Sequence, residues 1–410
     1  MWLTRSFRPF SFVHDDGTQL PDFDAPELPG LYVHIPFCRS LCGFCPYCKV
    51  KFDPELCDTY IDALLEEISL AGRSLPRRKK VTSCYFGGGT PALALRRLPE
   101  IIGTLEKYFD ITDGIGIELH PDDVNVETLA GLKQCGITRI SIGIQSFQDK
   151  FQSLLGRAPV KPEALKSALS AVKFETVSMD FIFALPGQTA DDLMQDWASA
   201  VECGANHVAI YPFIDFTFAD GKKFSPVKNR DKRRLLNEIT TGLLAHDWTR
   251  SSIWTFAEKR HCRYSSMTRD TFIGFGCSAV TLLKDQFRIN TFSVEAYCRR
   301  LKEGKNAASL RLDFSRRQRM IYFLFWRSYS TELDAADFKK FFGVSLWRMY
   351  GFEIFIARLC GLITRKGGIL KMTLAGAFYY HYYENFYTLA YIDKMWGIMR
   401  KIPFPESLKL

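Results

Sequence analysis

Four of the chain's twelve cysteines fall within the segment YVHIPFCRSLCGFCPYC (32–48): Cys38, Cys42, Cys45 and Cys48. The first three are spaced C-x3-C-x2-C, and an apolar run, 31–35, leads straight into them. Three thiolates close together at the end of a strand can hold three irons of a [4Fe–4S] cluster and leave the fourth iron open, where a substrate can bind through its amino and carboxylate groups. A structural zinc site is the competing reading. Zinc commonly takes its ligands from two separated pairs, and no second pair exists here: Cys57, Cys84, Cys135, Cys203, Cys262, Cys277, Cys298 and Cys360 stand apart along the chain. The spacing favours the cluster.

Further candidates lie downstream, each at or near the end of an apolar run. Gly87-Gly88-Gly89-Thr90-Pro91 follows a short strand, and its glycines let the backbone approach a ligand closely. Glu118 could bond ribose hydroxyls or an amino group, with a surface role as the plainer alternative. Gln145, in SIGIQSF, follows a strand too apolar to be exposed, so its amide needs a partner. Arg157 could pair with a carboxylate or be a solvated charge. Asp180 stands in the apolar run SMDFIFALPG, where a carboxylate is costly unless partnered.

The elements that must position these residues follow from periodicity. Asp53-Pro54 offers a cap and a first-turn proline, and Leu56, Tyr60, Leu64 and Ile68 recur at helical spacing, so 54–72 is an amphipathic helix. Strands are expected at 31–35, 83–86, 115–119, 139–144, 178–183 and 207–211, with helical segments between them, including one at 99–109. This alternation implies parallel β/α units and a (β/α)6 partial barrel, whose chemistry sits at the C-terminal ends of the strands. Residues 1–28 read as an arm over the barrel, 29–215 as the barrel, and 216–300 as an extension completing the site. Residues 301–410 read as a mostly helical, winged-helix-like domain, with helices at 314–326, 335–344 and 347–359 and a short strand at 368–373.

The tail 378–396 is rich in aromatic residues. Tyr379, Tyr382, Tyr383 and Phe386 fall along one helical face. They read either as a lid packed on the barrel or as a wall for a large flat hydrophobic substrate, with a membrane-surface contact as a further alternative. His381 and Glu384 share the helix at i, i+3 spacing; an acid/base pair competes with a plain surface pair.

Composition sets the outer limits. The 410 residues are 47% hydrophobic and 24% charged, ordinary for a globular protein, with a net charge of +9. Part of that charge sits in RRKK (77–80) and KNRDKRR (228–234), which read as solvated faces, with attraction to an anionic substrate or membrane surface as the lesser reading. Neither a signal peptide nor an 18-residue apolar span is evident, which makes a cytoplasmic location the expectation, with membrane association at the inner face as its variant. Nothing resembles a nucleic-acid module.

Taken in order, YVHIPFCRSLCGFC, YFGGGTP, SIGIQSF, LGR, DFIFALPGQT and FIGFGCSA, followed by Asn290 and Tyr297, resemble the radical SAM family of oxygen-independent coproporphyrinogen III oxidases and the related haem chaperones. The resemblance spans roughly 29–300. It implies that Cys38, Cys42 and Cys45 bind a [4Fe–4S] cluster whose free iron chelates S-adenosylmethionine, which is cleaved to methionine and a 5′-deoxyadenosyl radical. It also implies that Tyr32, Gly88, Gly89, Thr90, Glu118, Gln145 and Arg157 contact that molecule, with Asp180 near it and near a second S-adenosylmethionine where two bind. A protein electron donor such as flavodoxin or ferredoxin is the implied partner.

Two departures bear on the activity. The family's oxidases place a fourth cysteine two residues after the third, whereas Cys48 stands three after Cys45. The chaperones carry a histidine after the FIGFG-type motif, where this chain has Gly276-Cys277-Ser278-Ala279. The expectation is therefore a C-methyltransferase of this class using two S-adenosylmethionines, with Cys48 and Asp180 as catalytic candidates and a flat aromatic substrate such as the menaquinone ring (C8). The alternatives are coproporphyrinogen oxidation or anaerobic haem modification, and haem delivery.

Overall fold

The computed structural model describes residues 10–219, 224, 225, 227–259 and 270–410; residues 1–9 of the expected arm, and Cys262, lie outside them. Six parallel strands form its centre: β1 (Gly30–Ile35), β2 (Cys84–Gly88), β3 (Ile115–Leu119), β4 (Arg139–Gln145), β5 (Thr176–Phe183) and β6 (His207–Pro212). They pair in that sequential order, each with the next. Parallel neighbours need long crossovers, and helices supply them. The first is α1 (Pro54–Arg73), whose Asp53 carboxylate accepts from the Leu56 amide at 2.8 Å and whose buried face carries Tyr60, Leu64 and Ile68. The second is α2 (Leu98–Tyr108). Successive residues of a strand face opposite sides, so in β5 Val177, Met179, Phe181 and Phe183 share one face while Ser178, Asp180 and Ile182 share the other.

The extension continues the sheet past both ends of the barrel. Phe272–Phe275 pairs parallel with β1, and three antiparallel strands follow it, Val280–Leu282, Gln286–Asn290 and Ala308–Asp313. On the far side Thr255–Glu258 pairs antiparallel with β6. The arm differs from expectation, because Ser11–His14 is a strand between Ala308–Asp313 and the C-terminal strand Ser407–Lys409. Four residues with only Phe12 buried are too few to show a period in sequence.

The C-terminal region has its own small core, built from Met320, Phe323, Leu333, Phe338, Leu346, Tyr350 and Leu370. Helices Arg316–Tyr329, Ala335–Phe342 and Leu346–Leu359 pack with a three-stranded antiparallel sheet, which is the expected winged-helix-like arrangement. The tail is not one helix. It divides into α3 (Leu374–Tyr387) and α4 (Asp393–Lys401), joined by a π-helical turn, Thr388–Ile392. Such turns re-aim the next helical segment and occur often at functional sites. Among the described residues, no helix is long and apolar enough to cross a membrane.

Candidate active site

The cysteine loop leaves the barrel at the end of β1 and returns beside its start. Phe37–Cys38 pairs with Val50–Lys51, the Val50 amide donating to the Pro36 carbonyl at 2.8 Å and the Phe52 amide to that of Cys38 at 2.8 Å. Cys38, Cys42 and Cys45 are half-buried within this closed excursion. Burial pushes the Cys38 thiol up to about 12, with the neighbouring Cys45 adding to it and a hydrogen bond with Thr90 opposing it. Burial likewise raises Cys45, against the pull of Lys49, whose ammonium donates to the Cys45 carbonyl at 2.6 Å. Isolated thiols in this setting keep their protons, whereas iron would take the protons' place. The donor set fits a cluster: three soft ligands on one loop, near enough to sense one another's charge, with Lys49 beside them. Arg39, next to Cys38, ties the loop to the barrel by pairing with the buried Asp123.

The glycine run packs against this loop. Gly89 donates to the Ile35 carbonyl at 2.8 Å and Thr90 to that of Phe37 at 2.7 Å. Gly88 sits at φ +117°, and a Cβ there would fall 2.5 Å from the His34 ring, so only glycine fits. Its amide donates to Glu118 Oε2 at 3.0 Å. Glu118 is thus a half-buried carboxylate facing the glycine run, and its pKa is raised by burial. Asp180 accepts from the Ser141 hydroxyl at 3.0 Å and the Ser178 hydroxyl at 3.2 Å, yet burial, helped by the charge of Glu118, lifts it to about 7. Tyr32, with its hydroxyl 3.0 Å from His34 Nδ1, also senses Glu118. Two carboxylates, a tyrosine and three thiols therefore gather where β1, β2, β3 and β5 end.

Gln145 closes β4 at φ +71°, a left-handed conformation costly for a non-glycine residue. The turn after it is fixed by Asp196, which accepts from the Ser146 hydroxyl and the Phe147 amide, each at 2.8 Å. Arg157 is not a solvated charge. Half-buried, it donates to the Gly143 carbonyl at 2.8 Å and to His120 Nε2 at 2.7 Å, and it lies near enough to Cys42 and Cys45 to feel their charge.

Cys48 parts company with the other three. It is 5% exposed, and its thiol donates to the Phe292 carbonyl at 3.1 Å, turned toward Cys277 and His34.

Several residues escaped the sequence reading. Glu67, on the buried face of α1, accepts from the Gly276 amide at 2.6 Å, Asn290 Nδ2 at 2.7 Å and the Tyr297 hydroxyl at 2.7 Å. Burial lifts it to about 7 despite those bonds. The only available signal was an acidic residue interrupting an apolar helical stripe. Tyr47, inside the cysteine loop, senses Glu118, Cys45 and Asp180, and its ring lies 6.1 Å from that of Trp396.

The tail reaches this site by way of α4. Asp393 accepts from the Thr217 amide and hydroxyl at 2.8 and 2.7 Å, Trp396 stacks on Phe216 at 6.3 Å, and Arg400 bonds the Pro46 carbonyl within the cysteine loop. The aromatic stripe Tyr379, Tyr382, Tyr383 and Phe386 of α3 is about half exposed. The surface-pair reading of His381 and Glu384 is corrected, since they are 2% and 8% exposed. His381 packs on Phe183 and Trp254, and burial lowers it to about 3, while Glu384 rises to about 7. The helix turns its smaller residues inward, and these two go with them.

Residues 32–196 match the Radical SAM superfamily. The chain is 26% identical over 284 residues to the heme chaperone HemW of Bacillus subtilis, covering 65% of this chain and 74% of that protein. It is 25% identical over 309 residues to the oxygen-independent coproporphyrinogen III oxidase of Pseudomonas aeruginosa, covering 68% and 66%. A shorter match, 35% over 193 residues, links it to the anaerobilin synthase of Escherichia coli O157:H7, covering 46% and 43%. The solved coproporphyrinogen III oxidase (HemN) of Escherichia coli superimposes with a TM-score of 0.75 at 20% identity, over 92% of this chain and 91% of that one. The chain therefore carries a radical SAM domain in a HemN-like fold. Its relatives are coproporphyrinogen-oxidase-like, and the matched share of these curated proteins runs from less than half to about three quarters.

Proposed function

We propose that this chain is a radical SAM enzyme acting on a tetrapyrrole, either by oxygen-independent oxidation of a porphyrinogen or by anaerobic modification of haem. The observation that carries this reading is the gathering of Cys38, Cys42 and Cys45 with Tyr32, Glu118 and Asp180 at one end of a parallel barrel. Cys38, Cys42 and Cys45 would hold the [4Fe–4S] cluster. Tyr32, Gly88, Gly89, Thr90, Glu118, Gln145 and Arg157 would hold S-adenosylmethionine. When bound, the pair supplies a carbon-centred radical able to take a hydrogen atom from a substrate C–H bond.

The chain's own contribution is charge and shape. Glu118 and Asp180 suit the cationic sulfonium and ammonium groups of S-adenosylmethionine, which would draw both carboxyls back toward the ionised form. Beyond Asp180 on the same face, Ile182 lies beside Tyr211, whose ring meets Trp254 at 5.9 Å. Arg250 and Lys232 lie near enough to the neighbouring His381 to depress it further. Flat aromatic surface beside positive charge suits a flat polyanion such as a tetrapyrrole bearing propionates.

C-methylation of a quinone ring, the expectation from the sequence, is supported by none of the relatives named above. Haem delivery is the second reading, favoured by the breadth of the match to the HemW chaperone. Anaerobic incubation of the reduced protein with S-adenosylmethionine and either coproporphyrinogen III or haem tests all three. Stoichiometric 5′-deoxyadenosine with carbon dioxide release or loss of the Soret band supports the proposal. A Soret shift without turnover supports delivery, and S-adenosylhomocysteine with a methylated product overturns the proposal in favour of methyl transfer.

A further inference from the structure

Sequence spacing offered no second set of ligands near the cysteine loop, but folding assembles one. Cys48 from the loop, Cys277 from the turn after Phe272–Phe275 and His34 from β1 bring their ligand atoms within 4.8 Å of one another, and all three side chains are buried. They are 5%, 0% and 2% exposed, so each reaches the others and not solvent.

The surroundings hold these groups in place. The Tyr60 hydroxyl donates to the His34 carbonyl at 2.6 Å and accepts from the Cys277 amide at 3.0 Å, so one phenol from α1 pins the backbone of two of the three residues. A Cβ at Gly276, which sits at φ +101°, would fall 2.5 Å from that same hydroxyl. Ser278 holds φ +57°, a conformation costly for serine, and its hydroxyl lies 3.4 Å from His34 Nε2. The His34 ring is set by its second nitrogen: Nδ1 lies 3.0 Å from the Tyr32 hydroxyl. A proton on Nδ1, donated to the Tyr32 oxygen, leaves the Nε2 lone pair free, which is the way metal-bound histidines are commonly oriented. Nε2 itself points toward Cys48, whose carbonyl lies 2.9 Å away.

We infer that Cys48, Cys277 and His34 form a second metal site, separate from the cluster, for a single soft divalent ion of the zinc class, with the Ser278 hydroxyl as fourth donor. Two thiolates and an imidazole suit zinc over harder cations. Both thiol protons leave on binding, and the two thiolate charges neutralise the ion, so the filled site carries no net charge into the interior. Its effect is mechanical. It rivets the far end of the cysteine loop to β1 and to the FIGFGCSA turn, and it holds Cys48 away from Cys38, Cys42 and Cys45. The site does not depend on which substrate the enzyme takes.

The test uses the full-length chain with its cluster reconstituted anaerobically, incubated with zinc chloride, desalted and analysed for iron and zinc. About one zinc per chain beyond the cluster iron is expected, with Cys48→Ser and Cys277→Ser each lowering zinc at least about fivefold while iron is retained. X-ray absorption at the zinc edge of the unmutated protein should show two sulfur ligands at about 2.3 Å with nitrogen or oxygen at about 2.0–2.1 Å. That measurement decides the matter should both variants misfold. Zinc below about 0.2 per chain, a shell of three or four sulfurs, or zinc unchanged in both serine variants would overturn the site. So would a Cys48–Cys277 disulfide found by mass spectrometry in the zinc-treated protein, which would make the pair a redox couple.

Discussion

A carboxyl that titrates near neutrality has a use at Asp180. Burial and the charge of Glu118 hold it at about 7, against a usual 3.8, so a bound cation gains most once the proton has left. Affinity for S-adenosylmethionine is therefore expected to rise about tenfold from pH 6 to 8, and Asp180→Asn to flatten that rise, as read by equilibrium dialysis of the cluster-loaded protein. The cysteines divide at the same scale. Cys38→Ala, Cys42→Ala or Cys45→Ala should each abolish the cluster's visible absorbance, whereas Cys48→Ala should keep it; a full cluster in any of the first three would refute the ligand assignment.

One carboxylate organises several elements. Glu67 of α1 gathers the Gly276 amide, Asn290 and Tyr297 from three later segments. Its removal leaves three buried donors without an acceptor. Glu67→Ala should therefore cost about 3 kcal/mol, and Glu67→Gln about half as much, in reversible denaturant unfolding of the full chain. The pH sign comes from the raised pKa. The folded chain keeps a proton here between the usual 4.5 and about 7 that the unfolded chain has released, so this group's contribution to stability is complete below 4.5 and lost as the pH rises through 7. Glu67→Gln should remove that part of the slope. The resemblance singled out Asn290 and Tyr297 without a reason, and Glu67 supplies the reason. It was invisible in sequence because its three partners come from segments far along the chain.

The chain's two ends meet across the molecule, and the tail returns to the site. The helix α4 touches the cysteine loop through Trp396 on Tyr47 and Arg400 on Pro46, with Asp393 anchored to Thr217. Loosening that cover should admit solvent and oxygen to the loop by local opening. Trp396→Ala and Asp393→Ala are expected to speed loss of cluster absorbance in air at least about threefold, with far-ultraviolet dichroism unchanged. An unaltered rate would mean that the tail does not shield the loop.

Short-range patterns were enough for the barrel. Apolar strands alternating with an Asp53-capped, Pro54-started helix specify parallel β/α units, and the six strands lie within a residue or two of where periodicity put them. The loop of Cys38, Cys42 and Cys45, the glycine run and Asp180 were legible for the same reason: each is local, a residue type that is costly or unusual in its immediate context. What only the tertiary structure decided is long-range. Four residues, Ser11–His14, become a strand because partners distant in sequence complete their hydrogen bonds. His381 and Glu384, one helical turn apart, face inward because α3 packs that side, which no spacing reveals. Cys48 and Cys277, each solitary in the sequence, become neighbours only when Phe272–Phe275 takes its place beside β1.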